Sequence, residues 1–171
     1  MRTVTFADPK VVDLLNEKFV VVWHNLNPDN AARGTQATYT AAEMAAYPEG
    51  GGGTNLYTVV AAPDGTVLNN LLGYWSAPTL LEELDFSLGL TAENKAERHA
   101  ARRNALQAQV AKLDLEHPGE AGKRVKESPV LRRKAALNLL ATWHTSGRVA
   151  EGKVDGLLEM FGARTRTRVI S

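Results

Sequence analysis

Cysteine is absent from all 171 residues of this chain. That excludes disulfides, thiolate nucleophiles and cysteine metal sites, and it leaves the redox state of the compartment unread. An excess of charge is missing too. Twenty basic side chains stand against 19 acidic ones, for a formal net charge of +1, too little to draw in nucleic acid or an anionic membrane by a global field. No run approaches the ~18 to 20 apolar residues needed to span a bilayer, and the opening residues lack the basic-then-apolar layout of a signal peptide. No transmembrane segment and no targeting signal is read here, so localisation stays open. What is present is 44% hydrophobic residues, enough for one domain with a good core or a small domain with a helical appendage.

The first element is a short helix, with Asp8 as N-cap, Pro9 at the first helical position, and Val11, Val12, Leu14 and Leu15 on one face. Phe19-Val20-Val21-Val22-Trp23 then reads as a central strand buried on both faces, being a continuous β-branched and aromatic run. A polar connection spans 25–36. Thr40-Ala41-Ala42-Glu43 forms a capping box that opens a brief helix ending near Tyr47-Pro48, ahead of the glycine run Gly50 to Gly53. Leu56–Val60 and Thr66–Leu72 flank Pro63-Asp64-Gly65, which predicts a hairpin. After Gly73-Tyr74-Trp75, Ser76 caps a helix in which Leu80, Leu81, Leu84 and Leu88 repeat at helical spacing up to Gly89.

Met1-x-x-x-Thr5-Phe6-x-Asp8-Pro9-x-Val11, Leu14-Leu15-Asn16-x-x-Phe19-Val20, Pro63-Asp64-Gly65 and Gly73-Tyr74 together resemble the thioredoxin-like family, whose members carry Cys-x-x-Cys on a helix. The resemblance covers about half of the chain. It implies that Met1 corresponds to a methionine three residues after the second cysteine, so the cysteine motif and the family's first strand would lie ahead of Met1. It also implies a cis-proline before the hairpin, where this chain has Thr54-Asn55-Leu56 and no proline. Two readings follow. In the favoured one the chain is a degenerate thioredoxin-like module, redox-inert and acting by protein-protein interaction. In the alternative it is the C-terminal portion of a thioredoxin-like thiol-disulfide oxidoreductase whose Cys-x-x-Cys lies upstream of an internally assigned start.

Beyond residue 90 the resemblance ends. Thr91 caps a long helix through about Leu113, with Ala92, Ala96, Leu106, Val110 and Leu113 on one side and Arg98, Arg102 and Arg103 elsewhere. His117-Pro118-Gly119 breaks it, and 119–127 is a charged linker. Ser128-Pro129 opens a further helix with the stripe Leu131, Ala135, Leu139 and Trp143. The stretch Val149 to Phe161 is amphipathic and Arg164 to Arg168 is a basic tail. One helical pair does not stand alone, so it should dock on the sheet or on a partner.

Each candidate site competes with a plainer origin. Gly50 to Gly53 invites a phosphate-loop reading, but the lysine and following helix of a P-loop are missing and a loop is favoured. His24, beside Trp23 and Asn25, lies where ligands bind in open α/β sheets, yet it has no titratable partner at readable spacing and is read as structural. A non-thiol enzyme using His24 and Asp29 has the least support. His99, His117 and His144 stand singly, so no metal site and no cofactor is supported. The basic residues between Arg98 and Lys134 alternate with glutamates and lack interleaved aromatics, which favours solvated helix faces over nucleic-acid binding. Tyr74 and Trp75 are either partner anchors or a core lid.

The expectation is therefore an α/β protein: a thioredoxin-like sheet with flanking helices over 1–90, incomplete at its N-terminal edge, and an α-helical extension over 91–171. No catalytic, cofactor or metal residue is assigned. A protein partner or self-association is expected, with Trp23, His24, Asn55, Tyr74 and Trp75 as the candidate partner-binding residues, since an uncovered sheet edge must be capped by helices, a second copy or another protein.

Overall fold

The computed structural model describes residues 4–22, 40–45, 47–51, 56–120 and 122–145. Among them the chain is mixed α/β, with five α-helices and one two-stranded antiparallel sheet. Helix α1 spans Pro9–Lys18, α2 Ala41–Ala45, strand β1 Tyr57–Ala61, β2 Val67–Leu72, α3 Ala77–Leu88, α4 Lys95–Glu116 and α5 Pro129–Thr145. Two 3-10 turns, Pro118–Glu120 and Val125–Glu127, lie in the charged linker between α4 and α5.

Local chemistry accounts for most boundaries. The Asp8 carboxylate accepts from the Lys10 N–H at 2.9 Å and Pro9 follows at the first helical position, so α1 starts where the chain removes one orphan donor and satisfies another. At α2 the capping box is reciprocal: Glu43 N–H donates to Thr40 Oγ1 at 3.3 Å and Thr40 N–H donates to Glu43 Oε2 at 2.7 Å. The hairpin forms around Pro63-Asp64-Gly65, where Gly65 has φ 83° and the Asp64 carboxylate accepts from the Thr66 N–H at 2.9 Å. Strand β2 buries two asparagines because both find partners. Asn69 donates to Ser87 Oγ on α3 at 3.0 Å, and Asn70 donates to the Tyr57 hydroxyl on β1.

Three expectations are corrected. Residues Phe19 to Val22 form no strand, and Val20 and Val22 are 79% and 52% exposed rather than buried on both faces. Phe19 packs on the core and Val21 is half-buried, so this run alternates in and out at period two. A continuous apolar run does not by itself distinguish one covered face from two. Helix α4 begins four residues later than Thr91, because Thr91 and Asn94 exchange side-chain to backbone hydrogen bonds in a turn that precedes the helix. In α5 the buried face is Ala136, Leu137, Leu140, Ala141 and His144, with Ala135 exposed. Of the expected stripe, Leu139 and Trp143 pack against the margin of the core, and the buried face is centred about one residue away.

One apolar cluster joins Val11 of α1, Leu71 of β2, Trp75, Leu80 and Leu84 of α3, Leu106 of α4 and Ala136, Leu137, Leu140 and Ala141 of α5. Helices α4 and α5 pack along each other, and the hairpin they form seals the same core as the sheet. The helical extension thus docks on β2 and α3. The basic tail and the Val149 to Phe161 stretch lie outside the described residues.

Gly73 closes the sheet end. Its φ of 81° lies in the left-handed region, and a Cβ there would sit 2.4 Å from the Gly50 carbonyl oxygen. The close approach is functional for packing: Gly50 N–H donates to Tyr74 O at 2.6 Å and Tyr74 N–H donates to Gly51 O at 2.8 Å. The first two residues of the glycine run are therefore held against the Gly73-Tyr74 turn, while Gly52 and Gly53 lie outside the described residues.

Candidate functional site

The densest polar arrangement in the described residues lies where α3, α4 and α5 meet over β2. Glu83 sits on the buried face of α3 together with Thr79, Leu80, Leu84 and Ser87, and its side chain is fully buried. An unpaired carboxylate there would cost several kcal/mol by order of magnitude, so its partners decide whether the fold tolerates it. Arg102 of α4 supplies two donors to Glu83 Oε1, Nη2 at 2.7 Å and Nε at 3.1 Å. His144 of α5 faces the other oxygen, its Nε2 lying 3.0 Å from Oε2. Glu82, on the solvent side, adds a second acceptor to the Arg102 guanidinium at 3.3 Å.

The chain of contacts continues through the second histidine. His144 Nδ1 lies 2.7 Å from His99 Nδ1, and His99 Nε2 lies 2.8 Å from the Leu68 carbonyl oxygen of β2. Phe86 packs edge-on against both imidazoles, at ring-centroid separations of 5.3 Å to His99 and 5.1 Å to His144. Arg98 and Arg102 approach the same phenyl face at 5.8 and 6.0 Å. One element from each layer thus contributes: an anion from α3, a cation and an imidazole from α4, an imidazole from α5 and a carbonyl from β2.

Protonation follows from these contacts. Burial pushes the Glu83 carboxyl up, but the His144 hydrogen bond and charge, with the Arg102 guanidinium, outweigh it and hold the group below the usual carboxylate range. For His99 burial is the largest influence and, with the His144 charge, takes it below the ordinary imidazole value despite the Leu68 carbonyl. Burial also works against the Arg102 charge, yet Glu83 reverses the sign and raises it above the ordinary guanidinium value. The network carries ionised Glu83 and Arg102 as a matched pair.

Every ring nitrogen of His99 and His144 and both Glu83 oxygens are engaged within this network. No nitrogen is left to take a proton from a substrate, and the Glu83 and His144 side chains are 0% and 2% exposed. The arrangement can hold a proton and tie three helices to a strand; it does not present a general base to a bound molecule. Among the described residues, no group of three or more His, Asp or Glu side chains is placed to hold a metal ion.

Of the residues singled out from sequence, Trp23, His24 and Asn55 lie outside the described residues, as does Asp29. Tyr74 and Trp75 are 8% and 0% exposed. Trp75 donates its indole N–H to Leu72 O at 2.9 Å, and its own carbonyl accepts from Thr5 Oγ1 at 2.7 Å. Tyr74 stacks edge-on against Tyr47 at 5.7 Å. Burial pushes the Tyr74 hydroxyl up, Thr5 working the other way. The core-lid reading fits this placement. His117 is exposed at the C-terminal end of α4.

The residues that do converge were missed. His99 and His144 are 45 positions apart, so no local spacing links them, and Arg102 falls off the apolar side expected for its helix. A spacing signal existed. Lys95, His99, Arg102, Leu106, Val110 and Leu113 recur at steps of three or four residues, which places His99 and Arg102 on the same stripe as the apolar residues.

No protein-family model, curated protein or solved structure matches this chain. Among the described residues no helix is long and apolar enough to cross a membrane.

Proposed function

We propose that the chain is a redox-inert, thioredoxin-like interaction module that pairs with a second copy of itself through the Phe19 to Val22 segment. The observation that carries this reading is the exposure of Val20 and Val22, at 79% and 52%, on a β-branched segment in which Phe19 packs on the core and Val21 is half-buried. Among the described residues no strand pairs with that segment. The backbone at Phe19 is already extended, with φ −131° and ψ 149°, so pairing needs little further ordering. An isologous contact repeats the same segment about a two-fold axis, and a net charge of +1 offers little repulsion between copies. The order helix, short helix, hairpin, helix supports the thioredoxin-like assignment without the central strand expected at Phe19 to Val22, and the internally satisfied Glu83 network supports a non-catalytic role.

The magnitude is modest. At about 1.5 kcal/mol for a fully buried valine, covering the exposed parts of Val20 and Val22 in both copies is worth roughly 4 kcal/mol, against association costs of similar or larger size. Backbone pairing must supply the remainder, and the dimer is weak. Light scattering coupled to size exclusion across a concentration series tests this, with Val20→Lys and Val22→Lys combined as the control. A concentration-dependent dimer that disappears in the double variant supports the reading. A strictly monomeric chain at its highest soluble concentration, or a dimer indifferent to both substitutions, overturns it.

A further inference from the structure

The proton shared by buried His144 and half-buried His99 is independent of the self-association proposed above. A proton count fixes the state of the network. The Leu68 carbonyl only accepts, so His99 Nε2 carries a hydrogen; ionised Glu83 only accepts, so His144 Nε2 carries one as well. Between the two Nδ1 atoms, 2.7 Å apart, there is room for a single hydrogen. With none, two lone pairs face each other at hydrogen-bond distance; with two, two N–H groups collide. One hydrogen makes a charge-assisted bond.

We infer that Glu83, His144 and His99 form a one-proton latch that strengthens the docking of the α4–α5 hairpin on α3 and β2 while a single proton is shared between the two Nδ1 atoms, in addition to the apolar contacts of the core. That proton sits on His144, which stands against the Glu83 carboxylate, and His99 accepts it as the neutral Nε2–H tautomer. The depressed proton affinity of His99, caused by burial and by the His144 charge, agrees with this assignment. Loss of the proton and gain of a second both break the bond, so the latch releases on either side of a pH window.

The charged and titratable groups that face the pair come from each packed helix. On α3 they are Glu83 and, further out, Glu82; on α4 they are Lys95, which donates to the Val67 carbonyl beside Leu68, with Arg98 and Arg102; on α5 Arg133 lies 3.7 Å from Glu82. Glu83 is held ionised by His144 and Arg102, and Glu83 in turn holds Arg102 charged. The histidines alone therefore set the window.

Linkage gives its shape. Two unfolded histidines hold two protons well below about pH 6.5 and none well above it, whereas the latched pair holds one. On the acid side the unfolded chain binds more protons, so stability rises with pH. On the alkaline side it binds fewer, so stability falls as pH rises. Each limb changes the folded-to-unfolded ratio by up to tenfold per pH unit.

Equilibrium urea unfolding of the full chain from about pH 5.5 to 8.5, compared with His99→Gln and His144→Gln, tests the latch. His24 and His117 contribute equally to all three proteins and cancel. In His99→Gln the amide oxygen accepts from His144, so the acid limb flattens and the alkaline limb stays. In His144→Gln the amide donates to His99, so the alkaline limb flattens and the acid limb stays. Identical pH profiles in wild type and both variants would overturn the latch. Should His144→Gln fail to fold, imidazole nitrogen-15 spectra of the wild-type chain decide the matter. One protonated Nδ1 coupled across the hydrogen bond to a bare Nδ1 is expected; two bare or two protonated Nδ1 atoms refute it.

Discussion

Replacing Glu83 by glutamine keeps the volume of the side chain and removes its charge, which isolates the electrostatic part of the network. The native carboxylate accepts two bonds from Arg102 at one oxygen and one from His144 at the other. A glutamine has one oxygen to offer. If it faces Arg102, its NH2 meets the His144 Nε2–H; if it faces His144, it meets the guanidinium. In the first orientation His144 can accept from the amide only by giving up its Nε2 hydrogen, in the second a donor faces a donor, and in both Arg102 loses its buried counter-ion. Breaking a buried pair from one side typically costs about 3 to 5 kcal/mol, a large fraction of the ~5 to 15 kcal/mol by which domains are stable. Arg102 retains Glu82 as an outer partner at 3.3 Å, which places the expectation at the lower end, about 3 kcal/mol.

The assay is urea unfolding at neutral pH, read as a shift of the midpoint at constant slope. A loss below about 1 kcal/mol, the scale of an exposed ion pair, would refute the claim that Glu83 is a buried charge satisfied by its neighbours. The pH dependence supplies a second check. Glu83 is held below its ordinary value by His144 and Arg102, against the opposing effect of burial. A depressed carboxylate contributes stability above its unfolded pKa, about 4.3, and loses it as pH falls through the lower folded value. The carboxylate's own share of the difference between wild type and Glu83→Gln must therefore be lost as pH falls below about pH 4. A difference that grows on acidification would show that the sign of the interaction is wrong.

Other substitutions probe separate parts of the argument. Gly73→Ala forces a Cβ to within 2.4 Å of the Gly50 carbonyl at a φ of 81°, so a loss of at least about 2 kcal/mol is expected, seen as a melting temperature lower by roughly 4 to 8 °C; an unchanged melting temperature would contradict the close approach. Leu106→Ala removes a fully buried side chain from the centre of the shared core and should cost about 2 to 5 kcal/mol; a loss under about 1 kcal/mol would mean that α4 does not seal it. Asp8→Ala deletes the side-chain cap on Lys10 N–H and should cost about 1 kcal/mol, whereas Asp8→Asn should restore most of it; equal losses in both variants would point away from capping.

The parts of the fold that were legible in sequence are those decided within a few residues. Asp8-Pro9, the Thr40 to Glu43 box and Pro63-Asp64-Gly65 each satisfy their own backbone groups locally, and each stands where the residues put it. The Phe19 to Val22 run was harder, because apolarity reports that a segment seeks cover without reporting how many faces obtain it. Val20 and Val22 are exposed although no side chain in the run is polar.

The network was illegible for a stronger reason: hydropathy assigns Glu83, Arg102 and the two histidines to the outside of their helices, and only tertiary neighbours reverse that. In α3 the apolar repeat through Leu88 pointed to a face that the structure partly exposes, Leu88 being 44% exposed. The buried face keeps Leu80 and Leu84 and adds Thr79, Glu83 and Ser87, because Ser87 donates back to Glu83 O and bonds Asn69 while Arg102 and His144 complete Glu83. Each of these residues is costly to bury alone and tolerable together. Polar residues that share a stripe with core leucines on three separate helices therefore identify one another: the phase of Leu106 brings in His99 and Arg102, the phase of Leu137 and Leu140 brings in His144, and the phase of Leu80 and Leu84 brings in Glu83. One anion, one guanidinium and two imidazoles on three inward-facing stripes can be satisfied only by meeting, and the proton between the imidazoles is the remaining degree of freedom that such a meeting leaves open to pH.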